Sequence, residues 1–278
     1  MFKRILVPLD GSETSLYALD QALEIAKRED ALLKVLCVID TRLLYEARVY
    51  LPTSEGVRVS EDVVGAQNVE STYQAWADRL TSEALKRGES VGVQVQAEIV
   101  TSIPYQEITT RSKDYDLLVL GPWNISRDYA GPFLAGSTIW HLLAHTQLPI
   151  MCVQEAGLPL ETILVVLDDT SETLDSLQLA ATWAQTWGLK LVLLSVQPDE
   201  GQAWELLDKA QERIAPLKAR LVARDGDATA VILATALDFK CDLIAMGVHS
   251  EHALLRHPSN DMIENLLKNG TLPLLLSH

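Results

Sequence analysis

The sequence predicts two α/β domains in tandem, each a five-stranded parallel sheet with helices on both faces, and three observations carry that prediction. Residues 4–40 align without gaps on residues 162–198 at a constant offset of 158, with 12 identities in 37 positions, among them Ile5, Leu6, Val7, Leu9, Asp10, Leu16, Leu19 and Ala22. Later blocks recur in the same order: YDLLVLG ending at Gly121 returns as CDLIAMG ending at Gly247, and TQLPIMCV returns as GTLPLLLS. Ordered self-similarity marks a duplicated unit. Each copy also alternates short apolar runs with segments of helical apolar spacing, and regular βα alternation means a parallel sheet with right-handed crossovers.

In the first copy, Ile5–Leu9 is a continuous apolar run of the kind that parallel strands, covered on both faces, require. Ser12 is placed to cap the next helix, whose Leu16, Leu19, Ala22, Leu23 and Ala26 recur at three- and four-residue spacing. A strand at Leu32–Ile39, a helix near Tyr73–Lys86, a strand near Val93–Val100, a helix near Tyr105–Ser112 and a strand at Leu117–Leu120 follow. A helix through Ser137–Ala144 and a strand at Ile150–Val153 complete the copy. The second copy repeats the strands at Leu164–Leu167, Lys190–Val196, Ala219–Ala223, Leu243–Met246 and Pro273–Leu276, and Asp169 and Glu172 stand at capping-box spacing before its first helix. The Gly/Pro-containing stretch 154–161 is the predicted linker, giving domains at 1–154 and 160–278. Residues 41–67, with Pro52, Thr53, Ser54, Glu55 and Gly56, read as a surface excursion, either a lid or contact loop or a disordered stretch.

Composition bounds the function. The 278 residues are 48% hydrophobic and 22% charged, enough for full cores, and 23 Lys+Arg against 38 Asp+Glu leave a formal charge of -15. That charge repels a phosphate backbone, so nucleic acid is not an expected partner, and it disfavours an anionic membrane surface. The N-terminal MFKRILVPLDGS is too short in apolar residues for a signal segment, and no run approaches the roughly eighteen apolar residues of a membrane span, so a cytoplasmic location is expected. Cys37, Cys152 and Cys241 are widely spaced without a CxxC pair and are expected to be buried thiols. Trp76, Trp183, Trp187 and Trp204 read as packing residues.

Ligands of open α/β sheets collect at the carboxyl ends of the strands, beside helix N-termini. There the first copy carries Pro8, Leu9, Asp10, Gly11 and Ser12, then Val38, Ile39 and Asp40, then Gly121 to Asn124, and last Gly136, Ser137 and Thr138. A carboxylate at Asp10 can hold a ribose hydroxyl, backbone at Val38 can pair with an adenine edge, and Gly136 and Ser137 can present N–H groups and a hydroxyl to phosphate. The competing reading for Asp10 and Ser12 is helix capping, and for Gly136 and Ser137 an ordinary loop-to-helix junction.

With ILVPLDGS at its start, a second strand ending LCVID, a glycine loop and a closing LPIMCV, the whole chain resembles a tandem universal stress protein. The resemblance implies flavodoxin- or Rossmann-like domains and a role in stress response. It also implies assembly through the final strand, where Leu148–Val153 would pair with Leu272–Ser277 in a pseudo-dimer and pseudo-dimers would associate further. ATP-binding members carry G-x2-G-x9-G-[S/T] after the fourth strand. Carried over, Asp10 faces ribose, Val38 adenine, and Gly121, Gly136, Ser137 and Thr138 line the phosphate path, with ATP or another adenine nucleotide as ligand and the need for Mg²⁺ left open. The first copy departs from the pattern in two ways: Asn124 replaces the second glycine, and Gly121 to Gly136 spans 15 positions where the pattern gives 13. In the second copy, Asp168 and Val196 survive, but Gly247 is followed by Ser250, Asn260 and Asp261 in place of the glycines and hydroxyl. A carboxylate about 4 Å from a phosphate costs about 1 kcal/mol in water and about 4 at an intermediate dielectric, so this second site is expected to be degenerate.

No catalytic residue is assigned. The chain has neither G-x-S-x-G nor G-x4-GK-[S/T], His141 and His145 lack the Glu of HExxH, and His249, His252 and His257 read as solvated, so no metal site is expected. Weak ATP hydrolysis or phosphoryl transfer would have to use Asp10 or Asp40 as its base. A nucleotide-independent scaffold or small-ligand binder of the same fold is the alternative.

Overall fold

The computed structural model describes residues 1–45, 49–53, 56–60, 66–122, 137–157, 159–248 and 258–277. Packing divides the chain into two compact units, Met1–Leu148 and Pro149–His278.

The first unit runs β1 (Arg4–Pro8), α1 (Glu13–Glu29), β2 (Leu32–Asp40), β3 (Val49–Thr53), β4 (Gly56–Ser60), α2 (Ala66–Val91), β5 (Val95–Ser102), α3 (Pro104–Ser112), β6 (Leu117–Leu120) and α4 (Ser137–His145). Its main sheet has the order β6-β1-β2-β5, all parallel. The chain builds outward from β1 through β2 to β5 and then returns to the other side of β1 with β6. The strand order therefore reverses between β1 and β6. Right-handed crossovers place α1 and α2 on one face and α3 and α4 on the other, and the two helices of each pair touch. Ile5, Val7, Leu33, Val35, Leu117 and Leu118 are fully buried between these layers.

Two features of this unit depart from the sequence expectation. The excursion 41–67 carries regular structure among its described residues: a 3₁₀ turn at Thr41–Tyr45 and the antiparallel β3–β4 hairpin. Helix α2 begins at Ala66 and runs to Val91, far beyond Tyr73–Lys86, because Val69, Tyr73, Trp76, Ala77 and Ala84 continue one buried face along it.

The second unit contains β7 (Ile150–Cys152), β8 (Thr162–Leu167), α5 (Ser171–Trp187), β9 (Lys190–Val196), α6 (Glu200–Arg213), β10 (Ala219–Arg224), α7 (Ala228–Asp238), β11 (Leu243–Gly247), α8 (Pro258–Asn269) and β12 (Leu274–Ser277). Its order is β10-β9-β8-β11-β12-β7. All neighbours are parallel except β12 and β7, which pair antiparallel with Met151 opposite Leu275. The strand that ends the first sequence repeat is thus hydrogen-bonded to the last strand of the second, and by packing it belongs to the second unit. This covers an apolar edge that would otherwise invite association.

Capping differs between the repeats. The Ser12 side chain caps α1 by accepting from the Ser15 N–H. At α5 the N-cap is Thr170, not Asp169, and it makes no side-chain cap bond; its hydroxyl donates to the Asp168 carboxylate. The capping box expected from Asp169 and Glu172 therefore does not form. Trp183 is fully buried and Trp76 nearly so, whereas Trp204 is 40% exposed on α6, against the expectation that it packs.

Candidate functional site

At the carboxyl ends of β1, β2 and β6 a cleft of about 90 Å³, within a wider concavity of about 660 Å³ that includes open solvent, faces the α3–α4 side of the first unit. Its position is the switch point, where two neighbouring strands send their connections to opposite faces and leave a crevice. Of the residues expected from sequence, Pro8, Leu9, Asp10, Val38, Gly121 and Thr138 all line it. Asn124 and Gly136 lie outside the described residues, and Ser137 opens α4 with its side chain likewise outside them. Sequence reasoning missed Ser15, Pro104, Ile108 and Ile139, which complete the walls. Pro104 opens α3 and Ile108 follows one turn later, but the sequence carries no signal that this face lies over the strand ends.

The Asp10 carboxylate has a structural task. Its Oδ1 accepts from the Ser12 N–H at 3.0 Å and from the Ser12 hydroxyl at 2.6 Å, while that hydroxyl accepts from the Ser15 N–H at 3.2 Å. Among the described residues no hydrogen bond engages Oδ2, so Asp10 shapes the β1–α1 turn with one oxygen.

Val38 is presented by strand geometry. In a parallel ladder the N–H and C=O of one residue point to the same neighbour, and successive residues alternate. Leu32 N–H donates to Lys3 and Leu36 C=O accepts from Leu9, so even-numbered residues of β2 face β1, while Leu33 N–H donates to Gln94 on the other side. Pairing with β1 ends at Pro8 opposite Leu36. The Val38 N–H and C=O therefore point toward β1 just above its last paired residue, into the cleft, as a donor and acceptor with no partner among the described residues. An adenine edge offers the complementary pair.

Gly121 has a steric reason to be glycine. A Cβ there would lie 2.5 Å from the Thr14 Oγ1 and 2.6 Å from the Ser15 backbone nitrogen, so the end of β6 can approach the first turn of α1 only without a side chain. Gly247 is in the same position: a Cβ would lie 2.6 Å from the Glu172 carbonyl carbon and the Thr173 nitrogen. Both glycines hold strand against helix start, whichever ligand is present.

Asp40, buried at the end of β2, is clamped by Arg42 through Nε at 2.9 and 3.1 Å and Nη2 at 2.5 Å. The hydrogen bond to Asp40 raises the Arg42 guanidinium above its ordinary value. A carboxylate held in this bidentate pair is poorly placed to take a proton from substrate. His141 stacks on Tyr105 with ring centroids 4.2 Å apart and on His145 at 6.0 Å, bridging α3 and α4 rather than gathering ligands, and no metal-binding cluster occurs among the described residues.

The second unit keeps part of this arrangement. Asp168 accepts from the Thr170 and Thr173 hydroxyls. The parity of β9 is the same: Lys190 N–H faces β8 by donating to Glu161, pairing ends at Leu167 opposite Ser195, and the Val196 backbone points toward β8 above that end. The far wall differs. Thr138 stands four residues before the buried pair Leu142–Leu143, and at the same distance before buried Leu266–Leu267 stands Met262, a long apolar side chain where the first unit has a hydroxyl. Asn260 and Asp261 lie in the first turn of α8 with side chains outside the described residues, and Ser250 lies outside them altogether.

An open α/β unit with a cleft at its switch point, walled by one carboxylate, a strand-end backbone donor and acceptor and apolar side chains, has the architecture in which open α/β sheets place their ligand crevice. The chain belongs to the universal stress protein family, whose model matches residues 1–154 and 201–278. Two universal stress proteins of Methanocaldococcus jannaschii are similar to it. One is 25% identical over 157 residues, 56% of this chain and 84% of the relative; the other is 28% identical over 166 residues, 55% of this chain and 96% of the relative. Just over half of this chain thus spans most of either relative, as a chain with two units requires. The crystal structure of a universal stress protein from Archaeoglobus fulgidus shares the fold over 99% of this chain and 97% of its own, at 18% identity and a TM-score of 0.78. No described helix is long and apolar enough to cross a membrane.

Proposed function

We propose that the chain is a stress-response protein whose first unit binds ATP or another adenine nucleotide and whose second unit has lost that ability, with occupancy acting through regulation or protein contacts rather than catalysis. The observation that carries this reading is the cleft, in which an Asp10 oxygen and a Val38 backbone pair without partners among the described residues lie together at one switch point. The carboxylate suits a ribose hydroxyl, the backbone pair suits an adenine edge, and the start of α4 offers N–H groups to phosphate. Met262 at the position of Thr138 and Asp261 at that of Ser137 in the second repeat support the asymmetry. On this reading the protein assembles as a homo-oligomer in the cytoplasm, and Mg²⁺ accompanies a di- or triphosphate.

The test is calorimetric titration of the full chain with ATP, ADP and AMP, with and without Mg²⁺. Thr138→Met installs the residue the second unit already tolerates, and it is expected to weaken binding about tenfold or more, roughly 1.4 kcal/mol, without loss of fold. Failure of all three nucleotides to bind would favour the nucleotide-independent scaffold.

A further inference from the structure

Two helices wall the cleft of the first unit, and a ring stack joins them. Helix α3 contributes Pro104 and Ile108 to the wall, and α4 contributes Thr138 and Ile139. Tyr105 of α3 lies on His141 of α4 with ring centroids 4.2 Å apart and planes only 14° from parallel. Contact between flat rings at this spacing has a preferred distance and tilt, so it constrains the elements that carry the rings. Tyr105 directly follows Pro104, and His141 comes two residues after Ile139, so a change in the stack shifts both wall segments.

Hydrogen bonding does not account for the place of the imidazole. The His141 Nδ1 is buried and has no hydrogen-bond partner among the described residues. A polar atom enclosed in this way is a cost that the ring contact must offset.

The second repeat lacks the stack. The offset of 126 that carries Gly121 to Gly247 brings Tyr105 to Val231, and the offset of 124 that carries Thr138 to Met262 brings His141 to Asn265. Neither residue is aromatic. The rings thus stand in the repeat that keeps the Thr138 hydroxyl and are missing from the one that has Met262 in its place.

Helix α3 packs against β2, where the Val38 backbone is the proposed place of the base, while α4 begins where the phosphates would lie. We propose that Tyr105 and His141 are positioning residues: their stack sets the span between the base half and the phosphate half of the cleft, so that one nucleotide engages both. This inference rests on the adenine-nucleotide reading of the cleft, and neither residue needs to touch the ligand.

The test is calorimetric titration of the full chain with ATP and with adenosine, alongside urea unfolding of each variant. The unchanged chain should bind ATP more tightly than adenosine. His141→Ala should weaken ATP binding about tenfold and adenosine binding by less than about threefold, because the base keeps its place while the phosphates lose theirs. His141→Phe keeps a flat ring without the unpartnered nitrogen and should recover most of the affinity lost in His141→Ala. Tyr105→Leu opens the stack from α3 and should repeat the His141→Ala pattern, and it decides the matter alone if His141→Ala does not fold. A merely structural role would instead lower the urea midpoint and weaken both ligands alike. Equal losses for ATP and adenosine, no recovery in His141→Phe, or ATP binding no tighter than adenosine in the unchanged chain would overturn the proposal. Failure of the unchanged chain to bind either ligand would overturn the nucleotide reading and this inference with it, whereas ATP binding that His141→Ala and Tyr105→Leu leave untouched would overturn this inference alone.

Discussion

A methyl group at Gly121 or Gly247 has no room, since each would press within 2.6 Å of helix backbone that cannot swing aside as a flexible side chain can. Gly121→Ala and Gly247→Ala are each expected to destabilise their own unit by about 1–3 kcal/mol, read by urea unfolding, through displacement of strand end from helix start. Equal losses would mark the two glycines as structural; a loss of ligand affinity at Gly121→Ala without loss of stability would mark that one as a binding residue alone. The buried thiols give a prediction in pH. Burial, aided by Asp10 and Asp78, pushes Cys37 up to about 12, and burial pushes Cys241 to about 12 with help from Asp242, against 9.0 for an unperturbed thiol. Above about pH 9 the unfolded chain loses these protons and the folded chain keeps them, so stability present below that pH falls as pH rises toward 12. Urea midpoints measured from pH 7 to 10.5 should decline, and native Cys37 and Cys241 should resist alkylation at pH 8.

Helices α1 and α5 descend from one repeat yet begin differently, and the difference is measurable. Ser12→Ala removes a cap and should cost about 1 kcal/mol, whereas Thr170→Ala removes a hydroxyl that makes no cap bond and should cost less. A larger loss at Thr170 would mean that it caps α5 after all. At this scale the sequence was readable where pattern and local chemistry agree. The strands at Ile5, Leu117 and Lys190 showed as apolar runs, and Ser12 showed as a cap. The capping box at Asp169 was misread because spacing alone does not reveal that the backbone stays extended through Thr170, one residue later. The β3–β4 hairpin was missed because its Pro and Gly suggest a loop, and the early start of α2 because Val69 continues a face whose partners lie on a distant strand. In the site, Asp10 and Val38 were legible from their place after a strand. Pro104 and Ile108 were not, because only the fold brings α3 over the end of β1.

At the scale of the whole molecule, duplication has produced two units of one design. The order of blocks along the chain reveals the duplication, and the Thr138-to-Met262 and Gly11-to-Asp169 changes show where the copies parted. The pairing of β7 with β12 is the one the family resemblance implied, while the repeat pattern alone did not show that β7 packs with the second unit. The account's central claim is asymmetry: one adenine-nucleotide site per chain, in the first unit. The measurement that tests it most directly is the stoichiometry of ATP or AMP binding to the full chain by calorimetry, repeated with Thr138→Met. One site per chain, weakened by that substitution, is the predicted result; two sites per chain, or binding that Thr138→Met leaves unchanged, would contradict it.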